Sequence, residues 1–325
     1  KSLSHNSVQD ILQRKNGEIW VSTRKGLNRW DPVNASFKSF MHDPNNLESL
    51  GDNYLYQLYE DSQQRLWIAS HYSGLMLWND QSESFSSFTH QVNNKVSLSN
   101  NFVTSIYEDK QNNLWVGTAG GGLNKVIINE INGQLSLSFK HISIEQGLRS
   151  DIVTSILADK SGSIWISTAT GISRYEPKNE AVTNFGGVEG AQTGGYLIGS
   201  AAQDEQGVIY FGGINGLSYF SPKHVVTGSV APQMAFTELR LSNKLVKVEQ
   251  DQKNSVLRQA IQYTDQITLN HQQSVFSIKF AALDFTDSLA NQYRYRLVGF
   301  DQNWINTDAK RREVTYTNLP SGEYS

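Results

Sequence analysis

The sequence predicts an all-β chain in which five four-stranded β-propeller blades are followed by an immunoglobulin-like β-sandwich. The segment IWVSTRKGLNRWDP at 19–32 returns four times, as LWIASHYSGLMLWND, LWVGTAGGGLNKV, IWISTATGISRYEP and VIYFGGINGLSYFSP. The aromatic anchors of these copies are Trp20, Trp67, Trp115, Trp165 and Tyr210, spaced 47, 48, 50 and 45 residues apart. A period in this range, built from strand-like units, marks a propeller or a related radial array. After Ser221-Pro222 the repeat gives way to longer alternating runs, and these carry the sandwich.

Each repeat reads as four strands in order. A short apolar run opens it, as in VTSIYED at 103–109 and VTSILAD at 153–159. A polar position follows six residues before the anchor: Arg14, Asp61, Asp109, Asp159 and Asp204. A turn position lies three before it: Gly17, Gln64, Asn112, Gly162 and Gly207. The anchor sits on the second strand among Ile, Leu and Val. A glycine six or seven residues later (Gly26, Gly74, Gly122, Gly171, Gly216) opens the third run, and FKSF, FSSF, LSFKH and VTNF supply a fourth. Runs rich in Val, Ile, Tyr, Phe and Trp between Gly or Asn turns are antiparallel strands. A buried Trp removes roughly 150–250 Å² of surface from water, about 4–6 kcal/mol, so the anchors are expected in the space between neighbouring sheets. The acidic residues six before the anchor are expected to cap the first turn.

The 325 residues are 38% hydrophobic with a net charge of −3, enough for a propeller and a second small domain. A basic stripe is missing, which argues against a nucleic-acid partner. No run approaches the length of a membrane span. Residue 1 opens directly on repeat-type sequence, so no signal peptide is expected within these residues. There are no cysteines, so disulfides and thiolate metal sites are excluded.

The domain boundaries follow: blades over 1–222, a linker over 223–230, and a sandwich over 231–325. In the last, Phe276, Ile278 and Phe280 alternate with Ser277 and Lys279, and Tyr293, Tyr295 and Leu297 with Arg294 and Arg296. Such alternation gives each strand one wet face. The end, NLPSGEY, has the form of a tyrosine corner, where a Tyr hydroxyl bonds back to upstream backbone.

The copies EDKQNNLWVGTAGGGLNKV and ADKSGSIWISTATGISRYEP resemble two-component regulator propeller repeats. YRYRLVGFDQNW…YTNLPSGEY at 293–324 resembles the three-tyrosine (Y_Y_Y) domain that follows such propellers. Arg14, Ala69 and Tyr210 depart from the repeat pattern without disturbing the fold. The resemblance implies the periplasmic or extracellular sensor region of a membrane-anchored signalling protein, with a histidine kinase or a diguanylate cyclase as output beyond the membrane. This region would then be no enzyme. The alternative class is a propeller lyase or glycosidase, for which no paired carboxylates or nucleophile–base arrangement stands out. A structural module that dimerises the receptor is the third class.

In an up-and-down blade, the loops between strands two and three share an edge with the connections to the next blade. Binding residues concentrate on such loops. Arg24, His71 and Tyr72 are departures there from Ala119-Gly120, Ala169-Thr170 and Ile214-Asn215. Asn101, Arg149 and Tyr196 lie on the longer connections of that edge. These six are the candidate ligand-binding residues, suited to a small polar molecule or an oligosaccharide. No cofactor, catalytic residue or membrane contact is expected. His42, His90 and His141 recur one per repeat near the outer edge, which speaks against a shared metal. GTAGGGLN at 117–124 lacks the Lys-Ser/Thr of a phosphate loop. Arg294 and Arg296 are expected on a wet strand face, and Asp301 and Trp304 in shaping the loop after Gly299-Phe300.

The fifth repeat, GLSYFSP, has no clear fourth run. The chain is therefore expected to be a piece of a larger propeller, with a sheet edge open near 217–221 and its sandwich cut at Tyr324. HVVTG at 224–228 is the local substitute for the fourth strand.

Overall fold

The computed structural model describes residues 2–131, 134–187, 189–225, 233–249, 255–283 and 291–325. The chain divides into two compact units, residues 1–227 and 228–325.

The first unit is built of blades. The first holds β1 (Val8–Gln13), β2 (Ile19–Thr23), β3 (Gly26–Asp31) and β4 (Ser36–Phe40). The second holds β5 (Leu55–Glu60), β6 (Leu66–Ser70), β7 (Leu75–Asn79) and β8 (Ser84–Phe88). The third holds β9 (Val103–Glu108), β10 (Leu114–Thr118), β11 (Leu123–Ile131) and β12 (Gln134–Ile142). The fourth holds β13 (Val153–Ala158), β14 (Ile164–Thr168), β15 (Gly171–Glu176) and β16 (Ala181–Phe185). Each is a four-stranded antiparallel meander in sequence order. The fifth has three described strands, β17 (Tyr196–Gln203), β18 (Ile209–Gly213) and β19 (Gly216–Phe220). Residues 226–228 of HVVTG lie outside the described residues; Pro222–His224 form a 3₁₀ turn. No described strand pairs with the outer side of β19, where Leu217 and Tyr219 are exposed.

All five anchors stand on the second strand of their blade, and each Trp packs on the blade that follows. Trp20 meets Leu55, Leu66, Met76 and Trp78; Trp67 meets Val103, Ile106 and Leu114. Trp115 meets Val153, Ile164 and Tyr175; Trp165 meets Ile209 and Phe211. The four indoles are fully buried, as the area argument requires. Polar links run the same way. Asp10 Oδ2 accepts from Leu58 N (2.8 Å), and Gln57 Oε1 from Ile106 N (2.7 Å). Burial pushes the Asp10 carboxyl above the usual carboxylate range, against the pull of that N–H and of Ile11 N.

The acidic turn residues do more than cap. Asp61, Asp109 and Asp159 each accept from two backbone N–H groups of their turn through Oδ1. The other oxygen of each takes the indole N–H of the anchor at 2.9 Å. In the fifth blade the Tyr210 hydroxyl donates to Asp204 at 3.2 Å. Where Arg14 replaces the acid, the Trp20 indole turns to Glu18 (3.1 Å) instead. Arg14 is buried and bonded to Glu18, Glu60, Asp80 and the Gln64 carbonyl, which ties the first blade to the second.

The second unit has a four-stranded sheet in the order β21 (Lys244–Leu245), β20 (Met234–Leu241), β22 (Val275–Ala282), β25 (Glu313–Thr317), and a hairpin of β23 (Gln292–Tyr295) and β24 (Ile305–Asp308). Phe280, Ala282, Tyr293 and Ala309 form the core between the two sheets. A second core gathers Leu239, Leu257 and Ile261 under Phe276 and Ile278. Ser277, expected on the wet face, is buried, with its hydroxyl 2.8 Å from that of Thr315. Its partner Thr315 is exposed, so the pair lies at the wet face with only the Ser277 side buried. Arg294 and Arg296 are exposed and lie over the Trp304 ring. Asp301 shapes its loop by accepting from Leu297 N and the Tyr316 hydroxyl. The corner is formed: Tyr324 Oη donates to the Pro320 carbonyl at 2.8 Å.

Candidate functional site

The backbone places two sets of residues side by side on one edge of the blades. Four residues after the anchor, the N–H of Arg24, His71, Ala119 and Ala169 donates to the carbonyl of the residue thirteen before it: Ser7, Tyr54, Phe102 and Ile152. Inter-blade connections latch to the same edge. Gly26, Gly74 and Gly122 donate to the carbonyls of Asn53, Asn101 and Asp151 in the connection to the following blade. These three glycines have positive φ, and a Cβ at Gly74 would meet the Phe88 carbonyl at 2.2 Å. The loops that carry the candidate residues are therefore held from both sides.

On that frame, blades one to three build a row of aromatic rings. Tyr54 and Tyr56 stack at 5.1 Å and 15°. His71 stacks on Tyr54 (5.1 Å, 18°) and on Phe102 (4.1 Å, 25°), and Tyr72 leans on His71 at 4.2 Å. Tyr56 closes the row on Phe102 at 5.0 Å. The Arg24 guanidinium lies over the Tyr54 ring, 5.5 Å from its centre. Tyr72 is 68% exposed, and the other rings of the row are half-buried. Tyr56 Oη and His71 Nδ1 are 3.2 Å apart. Burial, then hydrogen bonding with Tyr54, pushes the Tyr56 phenol up, so it stays a neutral donor. Asp52 fixes the row from below, accepting from Tyr54 N (3.0 Å) and Tyr72 N (2.8 Å).

The structure brings together Arg24, His71 and Tyr72. It places the other three candidates elsewhere. Asn101 is spent on the fold: its side-chain oxygen accepts from His90 N (2.6 Å). Arg149 belongs to the edge of the fourth blade, with Nε on the Thr170 carbonyl (2.8 Å), its Cδ against Gly171 and its guanidinium against Gly186. Tyr196 is not on the rim. It is buried, its ring against Phe211 and its hydroxyl 2.7 Å from Ser218 Oγ, because β17 begins at this residue and turns the ring inward. Tyr54, Tyr56 and Phe102 are the members that the loop-centred reading missed. Their signal was present: thirteen residues before the anchor stand Ser7, Tyr54, Phe102, Ile152 and Leu197, aromatic in two copies only.

The histidines of the fourth strands hold loops. His42 Nδ1 lies 2.9 Å from the Leu50 carbonyl and His90 Nδ1 2.8 Å from the Leu98 carbonyl. His141 Nε2 reaches the Ser97 carbonyl (2.7 Å), so His90 and His141 serve one connection rather than separate ones. Among the described residues no group of three His, Asp or Glu side chains is placed to hold a metal. No helix is long and apolar enough to cross a membrane.

The fold and the rim define an all-β scaffold with a ring-lined edge. Its identity follows from family comparisons. The two-component regulator propeller model matches residues 2–25, 49–72, 97–120 and 147–170, and the Y_Y_Y domain model matches 284–325. The chain thus carries four segments that match two-component regulator propeller repeats and, after them, a segment that matches a Y_Y_Y domain. A curated relative, histidine kinase P4 of Formosa agariphila, is 28% identical over 155 residues, 48% of this chain and 11% of the relative. Two solved structures of the extracellular domain of BT4673 from B. thetaiotaomicron share the fold. One, described as part of a hybrid two-component system, has a TM-score of 0.55 at 18% identity and covers 98% of this chain and 53% of that one. The other, described as a one-component system, has a TM-score of 0.51 at 20% identity and covers 98% and 52%. The chain spans about half the length of these extracellular domains.

Proposed function

We propose that this chain is the periplasmic or extracellular input region of a membrane-anchored sensor histidine kinase. It binds a carbohydrate on the rim formed by Tyr54, Tyr56, His71, Tyr72 and Phe102, and occupancy is relayed to a cytoplasmic output. The ring row carries this reading. Blades three to five show that the fold tolerates Ala, Gly, Thr, Ile and Asn at the loop positions where His71 and Tyr72 stand. An exposed Tyr on a half-buried His is not needed for packing, whereas sugar C–H faces stack on such rings and sugar hydroxyls bond phenols and imidazoles. The repeats, the Y_Y_Y domain and the kinase relative support the signalling half of the reading. Isothermal titration of the 325-residue chain against a panel of oligosaccharides tests it. At least one sugar should bind, and Tyr72→Ala should abolish that binding while leaving the melting temperature in place. Unchanged binding by the Tyr72→Ala protein would refute the site.

A further inference from the structure

The ring row has a charge at one end that the rest of the blade unit leaves unused. The unit carries six arginines, and the guanidinium of five of them has an acceptor. Arg14 is bonded to three carboxylates, Arg29 to Glu18 and Glu83, Arg65 to Asp61, Arg149 to the Thr170 carbonyl, and Arg174 to Glu176. Arg24 has no ion pair or side-chain hydrogen bond among the described residues. Arg24 is exposed, and its guanidinium carbon lies over the Tyr54 ring, 5.5 Å from the ring centre. The ring contact leaves its N–H donors without an acceptor among the described residues. Lys25 is exposed beside it, and its ammonium has no partner among the described residues.

The fold does not require this charge. In the other blades the position of Arg24 is held by His71, Ala119, Ala169 and Ile214, and that of Lys25 by Tyr72, Gly120, Thr170 and Asn215. Asp52 makes no ion pair with it: its two oxygens accept from the backbone N–H groups of Tyr54 and of Tyr72. A planar, weakly hydrated, unspent guanidinium is suited to bidentate recognition of a carboxylate or sulfate.

We infer that the rim selects anionic sugars: a pyranose ring stacks on Tyr72 and His71 while its carboxylate or sulfate is taken by Arg24, with Lys25 adding field. This inference rests on the carbohydrate reading of the rim and adds Arg24 as its specificity-determining residue. The shared chemistry is a single-charged group on a sugar ring, and two probe pairs separate its sources. The first pair is trigalacturonate and its methyl ester, and the second is neocarratetraose 4-sulfate and its desulfated form. Each is titrated by calorimetry against the whole chain, Arg24→Gln and Tyr72→Ala.

The charged member of at least one pair should bind about ten-fold or more tighter than its neutral twin, the factor one charge-assisted hydrogen bond supports. Arg24→Gln should remove the preference while keeping the neutral affinity, and Tyr72→Ala should lose both members. Which pair responds identifies carboxylate or sulfate as the group read. Equal binding of charged and neutral twins by the unaltered chain, or a preference that survives Arg24→Gln, overturns the anionic selection and leaves the rim standing as a neutral-sugar site. Binding that is intact in Tyr72→Ala overturns the rim as well, and absence of binding for every probe overturns the anionic selection.

Discussion

The Trp115 indole N–H donates to Asp109 Oδ2 at 2.9 Å, six residues upstream across the first turn of its blade. The other oxygen, Oδ1, accepts from Gln111 N, Asn113 N and the Asn113 amide. One carboxylate therefore fixes the turn between strands one and two and the orientation of the ring that fills the gap to the next blade. The recurrence of the arrangement at Asp61–Trp67 and Asp159–Trp165 makes it the device by which each repeat couples its turn to its inter-blade core.

Removing either partner should be expensive. Trp115→Ala leaves a large cavity between blades three and four and should lower stability by about 3–5 kcal/mol. Asp109→Ala leaves a buried indole N–H and two turn N–H groups without an acceptor, for a loss of about 2–3 kcal/mol. Denaturant unfolding monitored by tryptophan fluorescence measures both. A loss under about 1 kcal/mol for Trp115→Ala would mean that the ring is not core.

Acid should act through Asp159, the fourth-blade member of this set. Burial alone would raise Asp159, but the Ser161 hydroxyl, the Trp165 indole and two backbone N–H groups outweigh it, so its pKa lies below the usual Asp value. A group depressed in the fold contributes stability that is fully present above its unfolded pKa of about 3.9 and is lost as pH falls through the folded value. Unfolding free energy measured from pH 6 downward should thus be flat until about pH 5 and fall below about pH 4. In Asp159→Asn that fall should be shallower.

The Arg14 latch separates buried from surface ion pairs. Arg14 and Glu60 side chains are 3% and 6% exposed, and the bond spans blades one and two. Arg14→Leu strands the Glu60 charge and should cost about 3 kcal/mol or more. Arg29 bonds carboxylates that are 30% and 41% exposed, and Arg29→Leu should cost under about 1 kcal/mol. Parallel urea melts compare the two variants, and a smaller loss for Arg14→Leu than for Arg29→Leu would contradict the latch.

Most of the fold was legible because it repeats. A Trp in a run of β-branched residues is ambiguous once, but four copies at nearly one spacing leave a radial array. The tyrosine corner was legible because its Pro, Gly and Tyr spacing is dictated by one hydrogen bond, which Tyr324 and Pro320 make. The rim was half legible. Arg24, His71 and Tyr72 stood out against small loop residues. Tyr54 and Phe102 did not, since they sit just ahead of the first strand, and nothing in the spacing shows that their carbonyls accept from His71 and Ala119 or that their rings stack on His71. Tyr196 was misplaced because its position at a strand start gives no sign of which face it takes. The second role of the acidic turn residues was encoded in their constant distance from the anchor, but a cap alone accounted for that spacing.

At the rim, stability and binding should come apart. Tyr72 is exposed and contributes a backbone N–H to Asp52 that any residue supplies. Tyr72→Ala should change stability by less than about 0.5 kcal/mol, as for surface sites. Phe102→Ala removes a half-buried ring that packs on both Tyr56 and His71, and should lower it by about 1–3 kcal/mol. Thermal melts of the two variants without ligand check the contrast, and equal losses would show that Tyr72 is structural.

Alkali should find the buried phenols. Burial raises Tyr56, Tyr59, Tyr107, Tyr175, Tyr196 and Tyr316, and in Tyr316 the hydrogen bond to Asp301 at 2.7 Å adds to it. For a tyrosine the charged form is the deprotonated one, so a raised folded pKa favours the neutral phenol in the fold. Its contribution to stability is complete below the unfolded pKa of about 10 and disappears as pH climbs through the folded value. Phenolate absorbance of the folded chain should therefore rise later than that of the urea-unfolded chain, with the missing amplitude released on unfolding. Between pH 10 and 11.5 the unfolding free energy should fall, and Tyr316→Phe, which has no proton to lose, should fall less steeply than the unaltered chain. Superimposable folded and unfolded titrations would mean that these hydroxyls reach water. That outcome would remove the Tyr316–Asp301 bond from the account of how the loop after Gly299 is held.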